Sequence, residues 1–222
     1  MAACFLRWFN RAERMKARSA VYIDGFDFYY GAVRGTAHKW LDLERTFRRL
    51  RPADDLQAIY YFTALVDGSR RANQEAYLRA LATSPLIHVI LGKFKRKQIK
   101  CRVSGCAYPG SRIFDATEEK RTDVNIALQM LDDVLHDRAD RIVLVSGDSD
   151  LVPALELVKA RPPKTQIIVY VPTRNPVRGA ATELRGAADK DRTFPLALLR
   201  VSQFPPQVSD GRGGLIAKPI SW

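Results

Sequence analysis

The feature that most constrains the fold is a set of short apolar runs with no polar alternation, each closing on a turn. Ala20-Val21-Tyr22-Ile23 stops at Asp24-Gly25, Arg141-Ile-Val-Leu-Val145 stops at Ser146-Gly147-Asp148-Ser149-Asp150, and Gln166 to Val171 is a third such run. Unbroken apolar runs suit parallel strands covered on both faces. Ile59 to Leu65 and Leu86 to Leu91 are further strand candidates, and Thr193 to Leu199 gives a last short one with its turn. Helical spacing fills the intervals. Residues 41–50 repeat through Leu43, Phe47 and Leu50, and residues 70–82 place Ala76, Tyr77, Ala80 and Leu81 on one face. Residues 118–135 predict a helix burying Val124, Ala127, Leu128, Leu131, Val134 and Leu135. Its expected N-cap is Thr117, with Glu118 and Glu119 in the first turn, where negative charge suits the helix dipole. A helix through Leu151, Ala154, Leu155 and Val158 ends at Pro162-Pro163, and a short one is expected within 178–188. Strands alternating with helices predict an α/β fold, a three-layer sandwich around a central, mainly parallel sheet.

The 222 residues suffice for one sizeable core. Residues 1–18 read as a basic appendage, residues 19–200 as the domain, and residues 201–222, rich in Pro and Gly, as a surface tail. Within the domain, residues 93–115 break the rhythm and read as a basic hairpin or loop insertion. Lys93, Lys95, Arg96, Lys97, Lys100 and Arg102 fall within ten positions without an acid. The balance of 36 Lys and Arg against 24 Asp and Glu leaves +12, which attracts polyanions, nucleic acid foremost. No run is long and apolar enough for a membrane span, and neither a GxGxxG nor a GxxxxGK[ST] motif occurs. Three cysteines cannot all pair with one another, and no second pair stands near Cys101 and Cys106 to complete a zinc site. With no secretory signal, a reducing cytoplasm is expected.

The acids carry the chemistry. Asp24 closes one apolar strand, Asp27 follows three residues on, and Asp148 and Asp150 lie just past another strand. Ligand sites of open α/β sheets form beyond the carboxyl ends of strands where strand order switches, so these side chains can converge. Asp123, in the second turn of the expected helix over 118–135, adds a third arm facing the sheet. Such acids repel unless a cation neutralises them, and oxygen donors select Mg2+ or Mn2+ over zinc. In a basic protein this points to metal-assisted phosphodiester cleavage. Each acid also has a local reading: Asp24 as a turn former and Asp148 as an N-cap.

The blocks Val21-Tyr-Ile-Asp-Gly-Phe-Asp-Phe-Tyr29, Glu119-Lys-Arg-Thr-Asp-Val-Asn-Ile-Ala127 and Val145-Ser-Gly-Asp-Ser-Asp-Leu-Val-Pro153 resemble the signature blocks of NYN domains. These belong to the PIN-like nuclease superfamily, in the group that includes LabA-like proteins. The resemblance implies a Rossmann-like, PIN-like sandwich, a Mg2+ or Mn2+ site and cleavage of RNA. It maps the metal-binding acids onto Asp24, Asp123, Asp148 and Asp150, with Ser146 orienting a ligand or water beside them. Lys120 matches a recurrent lysine that contacts phosphate or fixes a carboxylate. Asp27 stands where the family usually has Asn, which adds negative charge and removes a hydrogen-bond donor.

Lys93, Lys95, Arg96 and Lys97, with Phe94 among them, form the expected track for single-stranded RNA, and Tyr29 or Tyr30 could stack on a base near the acids. The expected activity is therefore a metal-dependent endoribonuclease using water as nucleophile. The alternative is a module of the same fold that holds RNA or a nucleotide without cutting it. A haloacid dehalogenase-type phosphatase needs an Asp-x-Asp pair, and Asp24-Gly-Phe-Asp27 does not supply one.

Overall fold

The computed structural model describes residues 16–161, 164–174 and 181–222. The apolar runs become strands, and all but the run at 86–91, which leads into a hairpin, hand over to a helix. The chain begins with β1 (Ala17–Asp24), α1 (Gly25–Phe28), a single π-helical turn over Tyr29–Val33, and α2 (Leu43–Leu50). It continues through β2 (Asp54–Thr63), α3 (Arg71–Leu81) and β3 (Ile87–Leu91). A hairpin of β4 (Lys93–Lys100) and β5 (Ile113–Lys120) precedes α4 (Thr122–Leu135) and β6 (Arg141–Val145). There follow α5 (Val152–Lys159), β7 (Gln166–Val171), α6 (Thr182–Ala187), β8 (Lys190–Thr193) and α7 (Ala197–Val201). The small strands β9 (Gln207–Ser209) and β10 (Leu215–Ala217) close the chain.

Six strands form one sheet in the order β3-β2-β1-β6-β7-β8, every neighbouring pair parallel. The chain builds outward from β1 to one edge, then returns to β1's other side with β6. The order therefore reverses between β1 and β6, and this is where such sheets hold ligands. The lack of alternation in the runs has its cause here. Val21 and Ile23 of β1 join a core under α2, α3 and α7, whereas Ala20 and Tyr22 join a second core under α4, α5 and α6. Among the described residues no helix is long and apolar enough to cross a membrane.

Several local expectations change. The helix read over 118–135 starts at Thr122, because Glu118, Glu119 and Lys120 pair in β5, so Thr117 is not its N-cap. Its buried face carries Ile126, Met130, Asp133 and Val134, while Val124, Leu128 and Leu135 are exposed. Apolar residues ring this helix almost fully, so spacing alone left its inward face undecided. The run Thr193 to Leu199 is the end of β8 followed by α7, not a strand throughout.

Of residues 1–18, the first 15 lie outside the described residues. Ala17 and Arg18 belong to β1, and Arg18 bonds Asp140 at 2.7 Å and Asp137 at 2.9 Å. Pro162, Pro163 and residues 178–180 also lie outside them. Residues 201–222 carry the β9–β10 hairpin, with Ile216 buried and the Trp222 ring 5.6 Å from Tyr77.

Candidate functional site

The carboxyl ends of β1 and β6 lie side by side, Ile23 opposite Val145. Asp24 is the last residue of β1 and is 6% exposed. Its Oδ1 accepts the backbone N–H groups of Phe26 and Asp27, both at 3.0 Å, and so caps α1. The turn that follows is tight because of Gly25. A β carbon there would stand 2.5 Å from the Phe62 carbonyl oxygen and 2.9 Å from the Tyr61 ring, so only glycine lets α1 lie this close to β2.

Asp27, one turn further, reaches across to the loop after β6. Its Oδ2 accepts the Ser146 hydroxyl at 3.0 Å and the Gly147 N–H at 2.7 Å. The same hydroxyl accepts the Asp148 N–H at 3.0 Å. Buried Ser146 is thus committed as donor to one carboxylate and as acceptor to the backbone of the next. Asp148 in turn caps the short turn over Ser149–Leu151, its Oδ1 accepting the Asp150 N–H at 2.9 Å. The local roles read from the sequence for Asp24 and Asp148 are therefore real, and each uses one carboxylate oxygen.

Asp123 enters from α4, on the face that buries Ile126 and Met130 three and seven residues later. Two of these groups are shifted by burial and by the neighbouring acids. Burial, then the charges of Asp27 and Asp123, pushes the Asp24 carboxyl up to about 7. Burial, then Asp148, Glu119, Asp150 and Asp27, pushes Asp123 up to about 6. Among the described residues, no Lys, Arg or His forms an ion pair with Asp24, Asp27, Asp123, Asp148 or Asp150. The donors are all carboxylate and hydroxyl oxygen, which is the chemistry of Mg2+ or Mn2+ rather than of zinc. They are not closed around a point: among the described residues no three His, Cys, Asp or Glu side chains are gathered tightly enough to hold an ion.

The basic segment lies on the β4–β5 hairpin, whose second strand leads directly into α4. Lys97 and Lys120 both bond Glu118, at 2.7 and 2.9 Å, which holds the Glu118 carboxyl down at about 2. Arg96 bonds Asp67 at 3.1 Å, and Lys93 and Lys95 are exposed. The Phe94 ring meets Phe26 edge-on at 5.4 Å, pinning the base of the hairpin beside α1. Tyr29 packs on the first core with Tyr30 at 5.4 Å, and exposed Tyr30 lies under Arg34. Cys101 and Cys106 are free.

Sequence reasoning passed over Glu119 as a site residue. From β5 it accepts the Thr122 hydroxyl and adds its charge to Asp123. Its signal was present, since it opens the block that ends at Ala127.

The NYN domain profile matches residues 18–195. A protein of Pseudomonas putida named 6-hydroxy-3-succinoylpyridine 3-monooxygenase is 32% identical over 237 aligned positions, covering 92% of this chain and 75% of that protein. A crystal structure of a protein of unknown function from Vibrio parahaemolyticus shares the fold, with TM-score 0.52 and 20% identity over 81% of this chain and 94% of its own.

Proposed function

Because the chain belongs to the NYN domain family, whose fold is nuclease-like, we propose that it is a metal-dependent endoribonuclease that hydrolyses RNA phosphodiesters with water. The observation that carries the reading is the unpaired acidic rim. Five aspartates from three chain segments lie near the switch between β1 and β6, and burial with the charge of the neighbouring acids raises the affinity of Asp24 and Asp123 for protons. Asp24, Asp123, Asp148 and Asp150 would hold Mg2+ or Mn2+. Such an ion, when bound, offsets charge on the phosphate oxygens and acidifies water. Asp27 and Ser146 hold the loop after β6 in place, so that Asp148 and Asp150 face the rim. Lys120, Lys93, Lys95 and Lys97, which share one face of the hairpin, would supply positive charge for the phosphates of the substrate, whereas Arg96, expected in the same track, points to the opposite face and bonds Asp67.

Incubation with single-stranded RNA and Mn2+ should give cleavage products, and Asp148→Asn should lower turnover at least a hundredfold while the circular dichroism spectrum stays unchanged. Cleavage at the wild-type rate by that variant overturns the assignment. Salt-sensitive RNA binding with no metal-dependent product would instead place the chain as a binding module.

A second reading is favoured by the relative named a monooxygenase. It makes this chain an oxygenase of a substituted hydroxypyridine, which would consume dioxygen together with a two-electron donor. Oxygen uptake with 6-hydroxy-3-succinoylpyridine and NADH tests it directly, and no uptake in the presence of RNA cleavage leaves the first reading standing.

A further inference from the structure

The β4–β5 hairpin has two unlike faces, since alternate residues of a strand point to opposite sides. One face meets the rest of the protein near its base, where Phe94 meets Phe26 and Arg96 bonds Asp67, and further out Gln98 bonds Asp115 within the hairpin at 3.4 Å. The other carries Lys93, Lys95 and Lys97 on β4 and Lys120 on β5, around the single acid Glu118. Lys93 and Lys120 stand directly opposite each other in the ladder. Like charges so placed destabilise a strand pair, and a polyanion lying across them removes the cost. Among the described residues neither Lys93 nor Lys95 forms an ion pair.

Further out, the same face becomes apolar and aromatic. Ile99 stands opposite Phe114, and the Tyr108 ring lies 5.9 Å from that of Phe114. Tyr108 is 56% exposed, Phe114 43% and Ile99 46%. At the other end, Lys120 is three residues from Asp123, so the lysine row runs from the acidic rim toward these rings.

We infer that the lysine face of the β4–β5 hairpin and the Tyr108–Phe114 ring pair at its tip form one docking surface for single-stranded RNA, leading the strand toward the acidic rim. The inference rests on the reading of RNA as the partner and does not require cleavage. Cations under the backbone and rings under the bases are how single strands are held without sequence preference. A duplex keeps its base faces stacked inside, so it can use the lysines but not the rings.

The test is fluorescence anisotropy of the full chain with labelled oligouridylate, in EDTA so that nothing is turned over, beside inorganic polyphosphate and duplex RNA as probes. Tyr108→Ala and Phe114→Ala should each weaken oligouridylate binding roughly tenfold and leave polyphosphate binding unchanged. The combined Lys93→Gln, Lys95→Gln and Lys97→Gln variant should lower the slope of log affinity against log salt by about 2, at roughly 0.7 per lysine, for both probes. Oligouridylate bound normally by the ring variants overturns the inference, as does a salt slope unmoved in the lysine variant. Light scattering that shows the ring variants splitting a dimer, with RNA affinity intact, would assign the tip to a contact between copies and also overturns it. Wild-type protein that binds but never cuts in Mn2+ defeats only the nuclease reading.

Discussion

The carboxylate of Asp24 caps a helix with one oxygen, and its ionisation ties it to the neighbouring acids. Oδ1 caps α1, while burial and the nearby acids lift the group from 3.8 to about 7. The folded state therefore holds a proton that the unfolded chain has already released between these values. Stability from this group is greatest below about pH 4 and falls as pH rises through 7. Asp123, lifted to about 6, acts in the same direction. Asn caps a helix about as well as Asp and carries no charge. Asp24→Asn should thus stabilise the metal-free protein, and its advantage over wild type should grow by about 2 kcal/mol between pH 5 and pH 8 in urea titrations with EDTA. Adding Mn2+ at pH 8 should raise the stability of the wild type and not of the variant. A pH-independent difference would mean that Asp24 is not charged against its neighbours. The placement of Asp24 and of the Asp148 turn past the ends of the neighbouring strands β1 and β6 was legible from the apolar runs that precede them. The role of Ser146 as a tie between Asp27 and the Asp148 backbone was not, because a hydroxyl's partners depend on contacts across 119 residues of chain.

At the scale of elements, periodicity identified α3 well and the buried side of α4 poorly, for reasons that lie in the residues themselves. In α3 only one face is apolar, and Ala76, Tyr77, Ala80 and Leu81 are the residues it buries. In α4 the inward face includes Asp133, which accepts from Tyr22 at 2.5 Å, Gln129 at 3.1 Å and Arg138 at 2.9 Å, so a hydrophobic count turns the helix outward. The start of α4 was misplaced because Glu118 and Glu119 suit a first turn electrostatically but are claimed by the β4–β5 ladder. Between that ladder and the helix sits Arg121, at φ 86° and ψ −16°, where a β carbon is strained and glycine is not. No side-chain bond caps the helix there. Arg121→Gly should therefore raise stability by about 1 kcal/mol, seen as a higher urea midpoint at unchanged slope. A lower midpoint would show that the arginine side chain contributes more than its backbone costs.

For the molecule as a whole, the parallel sheet with helices on both faces was legible from the unbroken apolar runs, whereas the covering of the first core by residues 203–222 was not. Pro and Gly carry no periodicity, and the burial there rests on single long-range contacts. Fully buried Trp40 donates its indole N–H to the Pro205 carbonyl at 2.8 Å and lies 5.8 Å from the Phe204 ring and 6.4 Å from the Trp222 ring. The Phe204 N–H returns a bond to the Trp40 carbonyl at 2.9 Å, and Ser221 accepts from Asn73 at 2.8 Å. Tyr77, whose hydroxyl donates to the Leu41 carbonyl at 2.9 Å, would lose its cover with them. Deleting residues 206–222 should cost about 3 kcal/mol or more, because Ile216 and Trp222 leave apolar surface of Trp40 and Tyr77 to water. The half-exposed Trp222 ring alone should account for about 1–2 kcal/mol of it in Trp222→Ala. Both losses would be read as lower urea midpoints, with Trp40 fluorescence shifting to the red in the deletion. An unchanged midpoint on deletion would mean that the sheet and the helices packed on it hold the Trp40 core closed without this segment.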